Sequence, residues 1–163
     1  QRPETQFDLL EFRHALEGMA AFYSALRGQP EDYQHLQAAL ADLDAMAATQ
    51  DKEQEANVLG EFYLIMAKAS HNMVLQHVMR SMKTMLIDNI QRNLQMLAVN
   101  PEACTEIAQQ RASIVAAIVQ QNPQKARQAS NAHLAFIEQT LLNINQRDTR
   151  IQRVLRRIET NPS

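Results

Sequence analysis

The sequence predicts an all-α protein, an antiparallel bundle of six or seven helices, and three observations lead to this prediction. Alanine, leucine, methionine, glutamine and glutamate are abundant, whereas glycine occurs only three times, a composition that favours helices. Apolar residues recur every three or four positions along most of the chain. Proline, glycine and asparagine signals separate these segments, and no segment alternates apolar and polar residues as a strand would.

Size and composition bound what the chain can be. Its 163 residues predict one domain over the whole chain, able to bury about 70% of its unfolded surface. The net charge of −2 favours no particular class of partner. A single cysteine, Cys104, allows no internal disulfide, so we expect a cytoplasmic protein. No apolar run approaches the about 18 residues that predict a membrane span. The chain begins QRPETQ without an initiator methionine, and we expect it to be a fragment of a longer protein.

Three helices are predicted in the first part of the chain. One runs from about Phe7 to Arg27 and stops at Gly28-Gln29-Pro30; a second opens at Pro30. A third follows Asp51, which with Gln54 resembles a capping box. The predicted buried stripes are Leu9, Phe12, Leu16, Met19, Tyr23 and Leu26 on the first helix, and Tyr33, Leu36, Leu40, Leu43 and Met46 on the second.

Three further helices are predicted after residue 72. The fourth runs from Met73, behind Asn72 as N-cap, to about Leu97. Asn100-Pro101 begins the fifth helix and Asn122-Pro123 the sixth. Predicted buried positions are Ile107, Ile114, Val115 and Ile118 on the fifth, and Ala126, Ala129, His133, Phe136, Ile137, Leu141 and Ile144 on the sixth. The apolar spacing continues through Ile151, Leu155 and Ile158, with a break expected near residues 145–148.

The stretch from Val58 to Met79 organises the rest of the chain, because two apolar helices meet there at a corner. Its frame reads Leu59-Gly60-Glu61-Phe62-Tyr63 and then Ala69-Ser70-His71-Asn72. This resembles the central motif D-x-x-F-H-x-x-I-x-x-A-S-x-N of the ligand-binding domain of GntR-superfamily transcriptional regulators, FadR subfamily. The phenylalanine, the Ala-Ser pair and the asparagine match, but the aspartate and the histidine do not.

The resemblance implies a C-terminal effector-binding and dimerisation domain, called FCD, rather than an enzyme. It also implies a homodimer, and a winged helix-turn-helix domain upstream of Gln1 through which alone DNA is bound. The family surrounds a divalent metal with four side chains. Carried over by position, these become Leu59, Tyr63, Gln110 (or Arg111 in a shifted alignment) and His133. Leucine offers no donor atom and tyrosine and glutamine are poor ligands, so we expect neither metal nor other cofactor.

Four blocks of sequence resemble one branch of the family whose effector is pyruvate. They are DLLEFRHALEGMAAFYSALR, ASHNMVLQHVMRSM, HLAFIEQTLL and RVLRRIE. A small planar carboxylate bound without a metal needs a fixed cation and hydrogen-bond donors. Arg13, beside the first apolar stripe, is the predicted carboxylate ligand, and His133, Tyr63 and Gln110 are predicted to contact the keto oxygen.

Each of these residues also has a simpler interpretation. Arg13 can form an intrahelical pair with Glu17 at the surface, and Tyr63 and His133 can be hydrogen-bonded core residues. Two alternative functions remain open: a metal-dependent hydroxy-acid sensor of the same superfamily, and a helical scaffold or sensor bundle without a small-molecule pocket. Cys104 has no histidine nearby in sequence, so a catalytic cysteine is not predicted. The basic C-terminal segment, without interleaved aromatic residues, is interpreted as a solvated face.

Overall fold

The computed structural model describes residues 3–47 and 49–160, and the described residues form seven helices and no strand. This confirms the predicted all-α bundle. The helices are α1 Pro3–Arg27, α2 Pro30–Met46, α3 Lys52–Ala69, α4 Met73–Ser81, α5 Lys83–Leu97, α6 Pro101–Val119 and α7 Pro123–Thr160. None of the described helices is long and apolar enough to span a membrane.

The helix starts follow the local signals in the sequence. The side chains of Asp51, Asn72 and Asn100 each accept a hydrogen bond from the backbone N–H three residues on, at 3.0 to 3.1 Å. These caps satisfy N–H groups that have no partner inside the helix. Proline fixes the first turns of α2, α6 and α7. The capping residues predicted from the sequence are therefore confirmed.

Helix α3 lies at the centre of the bundle and contacts α1, α2, α4 and α5. Its buried side chains, led by the fully buried Phe62 and Met66, belong to the larger of two apolar clusters. The second cluster joins α1, α5, α6 and α7 through Leu10, Leu97, Ile107, Leu134, Ile137, Leu141 and Ile144. Helix α1 lies mainly against α7 and α3 rather than against its successor α2, although a short connection favours packing between successive helices.

The predicted fourth helix is wrong in extent, because it is two helices joined at Met82. Met82 has φ −92° and ψ 2° and serves both as the C-cap of α4 and as the N-cap of α5. Neither proline nor glycine marks the bend. The bend is set by packing: Leu75 and Met79 of α4 and Leu86 and Ile90 of α5 are all buried, in helices that both contact α3.

Two predicted buried stripes also need correction. On α1, Phe12 and Leu26 are about half exposed, whereas Leu10, Arg13, Glu17 and the alanines at 20, 21 and 25 are buried. After Leu10, the buried residues of α1 are thus small or polar. On α7 there is no break near residues 145–148, and every residue from 145 to 159 is exposed, including Ile151, Leu155 and Ile158. This segment continues past the apolar clusters, whose last residue is Ile144.

Candidate functional site

An ion pair between Arg13 and Glu17 lies inside the bundle, on the inward face of α1. Arg13 Nε donates to Glu17 Oε2 at 2.6 Å, and Arg13 Nη2 donates to Oε1 at 3.4 Å. The two residues are only 3% and 1% exposed. The predicted i,i+4 pair therefore exists, but it is buried rather than on the surface. Removing one partner of such a pair costs about 3–5 kcal/mol, far more than for an exposed pair.

A polar network from α5 holds the other side of Arg13. Arg13 Nη1 donates to Asn89 Oδ1 at 3.0 Å, and the Asn89 amide donates to the backbone oxygen of Gln6 at 3.2 Å. Asn93 donates to the same Asn89 oxygen at 3.3 Å and accepts from the Gln6 amide at 2.6 Å. Asn89 and Asn93 are both buried. On this side the guanidinium is thus fixed in position by groups that carry no charge.

Tyr63 of α3 lies over the same guanidinium. The centroid of its ring is 5.3 Å from Arg13 Cζ, within the range of a cation–π contact. Burial raises the pKa of Tyr63 to about 12, and the negative charge of Glu17 acts in the same direction. The phenol therefore stays neutral at physiological pH.

His133 of α7 is 1% exposed and is hydrogen-bonded to the predicted site residue Gln110. Its Nδ1 lies 2.9 Å from Gln110 Oε1. The Gln110 amide nitrogen faces Glu106 Oε1 at 3.5 Å, which orients the amide oxygen toward the histidine. Nδ1 then donates, and Nε2 of the neutral ring carries a lone pair. Burial lowers the pKa of His133 to about 3, helped by the positive charges of Arg111 and Arg13.

Arg111 of α6 is the site residue that the sequence did not single out as a binding residue. It follows Gln110 directly, and its charge acts on Glu17, Tyr63 and His133. Two buried atoms, Arg111 Nε and His133 Nε2, find no hydrogen-bond partner among residues 3–47 and 49–160. One is a donor and the other, in this tautomer, is an acceptor. Buried polar atoms without partners are uncommon in folded proteins, so both represent unused hydrogen-bonding capacity inside the bundle.

We call Arg13, Glu17, Tyr63, Arg111 and His133 the arginine cluster. Burial raises the pKa of Glu17, and Arg13, which donates to both carboxylate oxygens, opposes that rise. Burial is the largest influence on the pKa of Arg13 and acts to lower it, but the charges and hydrogen bonds of Glu17 and Tyr63 together outweigh burial, and the pKa is raised. Even with Glu17 ionised, two guanidinium groups face one carboxylate. The arginine cluster therefore carries an excess positive charge and favours an anion.

A small cavity opens beside the arginine cluster. Its volume is about 20 Å³, and Arg13, Tyr63 and Arg111 line it together with apolar side chains of α3, α5, α6 and α7, namely Leu59, Ile90, Leu94, Leu97, Ile107 and Ile137. Gln110 and His133 do not line this cavity. The structure thus brings Arg13 and Tyr63 together on one side and Gln110 and His133 on the other. The charge of Arg111 acts on both Tyr63 and His133.

The residues at the metal positions implied by the resemblance do not fit a metal. Leu59 has no ligand atom, Tyr63 stays protonated, and Gln110 is hydrogen-bonded to His133. No group of three or more histidine, cysteine or acidic side chains suited to a metal occurs in the described part of the chain. Two guanidinium groups close by would also repel a divalent cation. The donor set is that of an anion site.

Comparison with known proteins assigns the family. The FCD domain model matches residues 8–136. A protein named for regulation of the L-lactate dehydrogenase operon in Escherichia coli K12 is 30% identical over 154 residues, 94% of this chain and 58% of that protein. The Glc operon transcriptional activator of the same strain is 28% identical over 147 residues, covering 88% of this chain and 58% of the activator.

A solved structure shows the same fold. A GntR protein of Streptococcus agalactiae superposes with a TM-score of 0.67 at 21% sequence identity, over 83% of this chain and 58% of that one. The chain spans about 58% of the length of each of these relatives. The names of the relatives are those of transcriptional regulators rather than enzymes. The chain therefore belongs to the FCD domain family of GntR-type transcriptional regulators.

Proposed function

We propose that this chain is the effector-sensing domain of a metabolite-responsive transcriptional repressor, with a small monocarboxylate as effector and pyruvate as the first candidate. The observation that carries the proposal is the arginine cluster, in which a buried positive charge exceeds the negative charge beside it. A ligand carboxylate would supply the negative charge that balances this excess. Arg13 and Arg111 would bind that carboxylate, and Tyr63, Gln110 and His133 would contact the oxygen on the adjacent carbon.

Two further observations support pyruvate. The four sequence blocks described above are similar to the pyruvate dehydrogenase complex repressor and extend over nearly the whole chain. No suitable donor set for a metal occurs among the residues that the structure describes, which agrees with a site that holds its anion by guanidinium groups. Pyruvate has about six non-hydrogen atoms, which limits the binding free energy to about −9 kcal/mol. We expect micromolar to millimolar affinity, in the range that suits a metabolite sensor.

A 2-hydroxy acid is a second candidate effector, and the hydrogen bonding of His133 favours it. With Nδ1 donating to Gln110, the free Nε2 is an acceptor and can accept a hydrogen bond from a hydroxyl group. Pyruvate has no such hydroxyl group. For His133 Nε2 to donate to the keto oxygen, the side-chain amide of Gln110 would have to flip, so that its nitrogen donates to Nδ1. The similarity to the regulator named for the lactate operon points in the same direction.

Titration calorimetry with pyruvate, L-lactate and acetate tests the proposal. Binding of pyruvate or lactate with acetate clearly weaker supports an effector site that recognises both the carboxylate and the adjacent oxygen. Pyruvate and lactate then distinguish the two candidates. Binding of none of the three acids rejects the proposal and leaves the helical scaffold without a small-molecule pocket. Elemental analysis of the purified protein tests the metal-dependent alternative, which requires about one zinc or nickel per chain.

Substitutions locate the site. Arg13→Ala and His133→Ala should each weaken binding of the preferred acid at least tenfold, about 1.4 kcal/mol. Tyr63→Phe should cost less, because it removes one hydrogen bond of about 1 kcal/mol and keeps the packing. Helical circular dichroism monitors the fold. Because Arg13→Ala leaves the Glu17 carboxylate unpaired, the Arg13→Met/Glu17→Gln double variant is measured beside it. Binding as tight as that of the parent in both Arg13 variants would place the pocket elsewhere.

We also propose that the protein is a cytoplasmic homodimer that binds DNA only through a winged helix-turn-helix domain upstream of Gln1. The exposed end of α7 supports self-association. Ile151, Val154, Leu155 and Ile158 share one face at helical spacing and are 53% to 65% exposed. Residues 145–160 contain five arginines and two acidic residues, Asp148 and Glu159, so this segment has a net charge of +3. Because the net charge of the whole chain is −2, the rest of the chain has a net charge of −5.

These charges favour a particular arrangement of the two copies. Two basic C-terminal segments would repel each other, whereas the C-terminal segment of one copy is complementary in charge to the acidic body of the other. Effector binding would shift this dimer between two arrangements and so change operator affinity. Sedimentation of the full-length protein should show a dimer. A monomer at high micromolar concentration would contradict the proposal.

A further inference from the structure

A second, larger cavity adjoins the arginine cluster, between α2, α3, α5 and α6. Its volume is about 110 Å³. We call it the chamber. Its apolar wall consists of Leu43, Ala47, Leu94, Leu97, Ile107 and Ala108, with Cys104 beside them. Four side chains line both the chamber and the small cavity of the arginine cluster, so the two spaces adjoin; they are Leu94, Leu97, Ile107 and Arg111.

The two volumes decide where a ligand can lie. A cavity of about 20 Å³ has room for about one water molecule. An acid with six or more non-hydrogen atoms cannot fit there, but its carboxylate can reach Arg111 from the chamber. The chamber is more than five times larger. A carboxylic acid whose carboxylate and adjacent oxygen contact the arginine cluster therefore needs the chamber for its remaining atoms.

The charges of the chamber agree with a ligand oriented in this way. Lys52 and Glu55 line it and pair with each other, Nζ to Oε1, at 3.3 Å, so they cancel. Asp44 is exposed. Arg111 is the cation that the chamber shares with the arginine cluster, and its Nε is without a partner in the described part of the chain. Once Lys52 and Glu55 cancel, Asp44 and Arg111 remain, and Arg111 is the side chain of the lining that attracts an anion.

We propose that the chamber is a subsite of the effector site, which holds the aliphatic end of a short 2-oxo or 2-hydroxy monocarboxylic acid whose carboxylate reaches Arg111. This inference rests on the proposed function and extends it by assigning the specificity for chain length to residues outside the arginine cluster. Cys104 lies in the wall, where its thiol donates to the backbone oxygen of Leu97 at 3.3 Å. It is the only cysteine in the chain, so the labelling rate reports on the surroundings of this one thiol.

The first test labels Cys104 of the unaltered protein with iodoacetamide. Burial raises the pKa of the Cys104 thiol, so labelling is run at mildly alkaline pH, with and without pyruvate at a concentration that saturates binding in calorimetry. Sodium chloride at equal ionic strength is the control. Pyruvate is expected to slow labelling at least threefold. An unchanged labelling rate under saturation overturns the subsite while leaving the proposed function in place.

The second test fills the chamber without touching the arginine cluster. Ala108→Leu adds three carbons to the chamber wall, and Ala116→Leu makes the same change at an exposed position of the same helix. Ala108→Leu should weaken binding of pyruvate at least tenfold and of 2-oxobutanoate more strongly, whereas Ala116→Leu should bind both as the parent does. Equal affinities in the two variants overturn the subsite. If the parent binds no short carboxylic acid at all, the proposed function fails and the subsite fails with it.

Discussion

Tyr63 and His133 are the two titratable groups whose neutrality sets the charge that a ligand meets. Burial keeps the pKa of Tyr63 at about 12 and that of His133 at about 3, so neither adds a charge at neutral pH. The excess positive charge then belongs to Arg13 and Arg111 alone. Protonation of His133 would add a third cation to the arginine cluster at a high free-energy cost.

His133 should make folding stability depend on pH. Its pKa is about 3 in the folded protein and 6.5 when unperturbed. Between these values the unfolded chain binds a proton that the folded protein does not, so stability rises with pH in that window. The contribution of His133 is fully present above pH 6.5 and is lost as the pH falls toward 3. From pH 7 to pH 5 the loss is about 2 kcal/mol.

Urea unfolding of the parent and of His133→Gln at several pH values measures this effect. Glutamine retains hydrogen-bonding capacity but does not titrate, so the stability of His133→Gln should fall less between pH 7 and pH 5. The difference between the two proteins isolates the histidine from the other titrating groups. Parallel curves for parent and variant would show that His133 is not held neutral by burial.

At the scale of single residues, the sequence allowed part of the site to be predicted. Arg13 and His133 could be singled out because each is a polar residue on or beside an apolar helix face, where burial demands a partner. Arg111, whose buried Nε has no hydrogen-bond partner in the described part of the chain, could not be singled out. An arginine on the partly exposed face of α6 has the same local sequence pattern as a solvated arginine. Asn89 and Asn93 were missed for a similar reason: Asn89 meets Arg13, and Asn93 meets Gln6, across more than 70 residues of the chain.

At the scale of the helix, α1 shows why apolar spacing can misplace part of a buried face. Leu9 is buried and Leu16 and Met19 pack against the core, as the spacing predicts. The large apolar residues Phe12 and Leu26 lie outward, while Arg13, Glu17 and Ser24 lie inward among alanines. Small residues let α1 approach its neighbours closely, and the polar ones form buried pairs. A pattern that ranks positions by hydrophobicity favours the outward stripe, because it assigns no value to a buried ion pair.

Helices α3 and α5 also approach closely, at Gly60. A Cβ atom at this position would lie 2.7 Å from Ile87 Cγ1 and 3.3 Å from Ile87 Cδ1. Gly60→Ala gains about 1 kcal/mol of helix propensity but forces Ile87 or a helix to move, at a cost of about 1–3 kcal/mol. We expect a net loss of stability, measured as a lower urea midpoint. The helical content should be unchanged.

The Ile87→Ala background provides the control for Gly60→Ala. There the overlapping atoms are gone, so Gly60→Ala should be neutral or stabilising by up to about 1 kcal/mol. A double-mutant cycle gives the interaction free energy between the two positions. If Gly60→Ala stabilises the protein in both backgrounds, the close contact between α3 and α5 does not limit this position.

At the scale of the whole molecule, helix signals and periodicity predict the bundle well and the arrangement less well. The caps at Asp51, Asn72 and Asn100 are local, and the sequence alone locates them. The bend at Met82 and the packing of α1 on α7 are set by which apolar faces meet, and no local residue marks them. The continuation of α7 was predicted to contain a break, but its residues favour a helix even where no core lies beneath them.

The exposed end of α7 allows the proposed dimer to be separated from the fold of the single chain. Every residue from 145 to 159 is exposed, so deleting residues 145–163 should leave thermal unfolding of the bundle nearly unchanged. The deletion should nevertheless convert the dimer to a monomer in sedimentation. Leu155→Asp should do the same, because it places a charge in the exposed apolar stripe. Thr149→Asp, on the opposite face of the same segment, should leave the dimer intact.

Since the C-terminal segment carries a net charge of +3 and the remainder of the chain −5, the dimer should also weaken as salt rises. A dimer that survives both the deletion and high salt would show that the two copies meet through another surface.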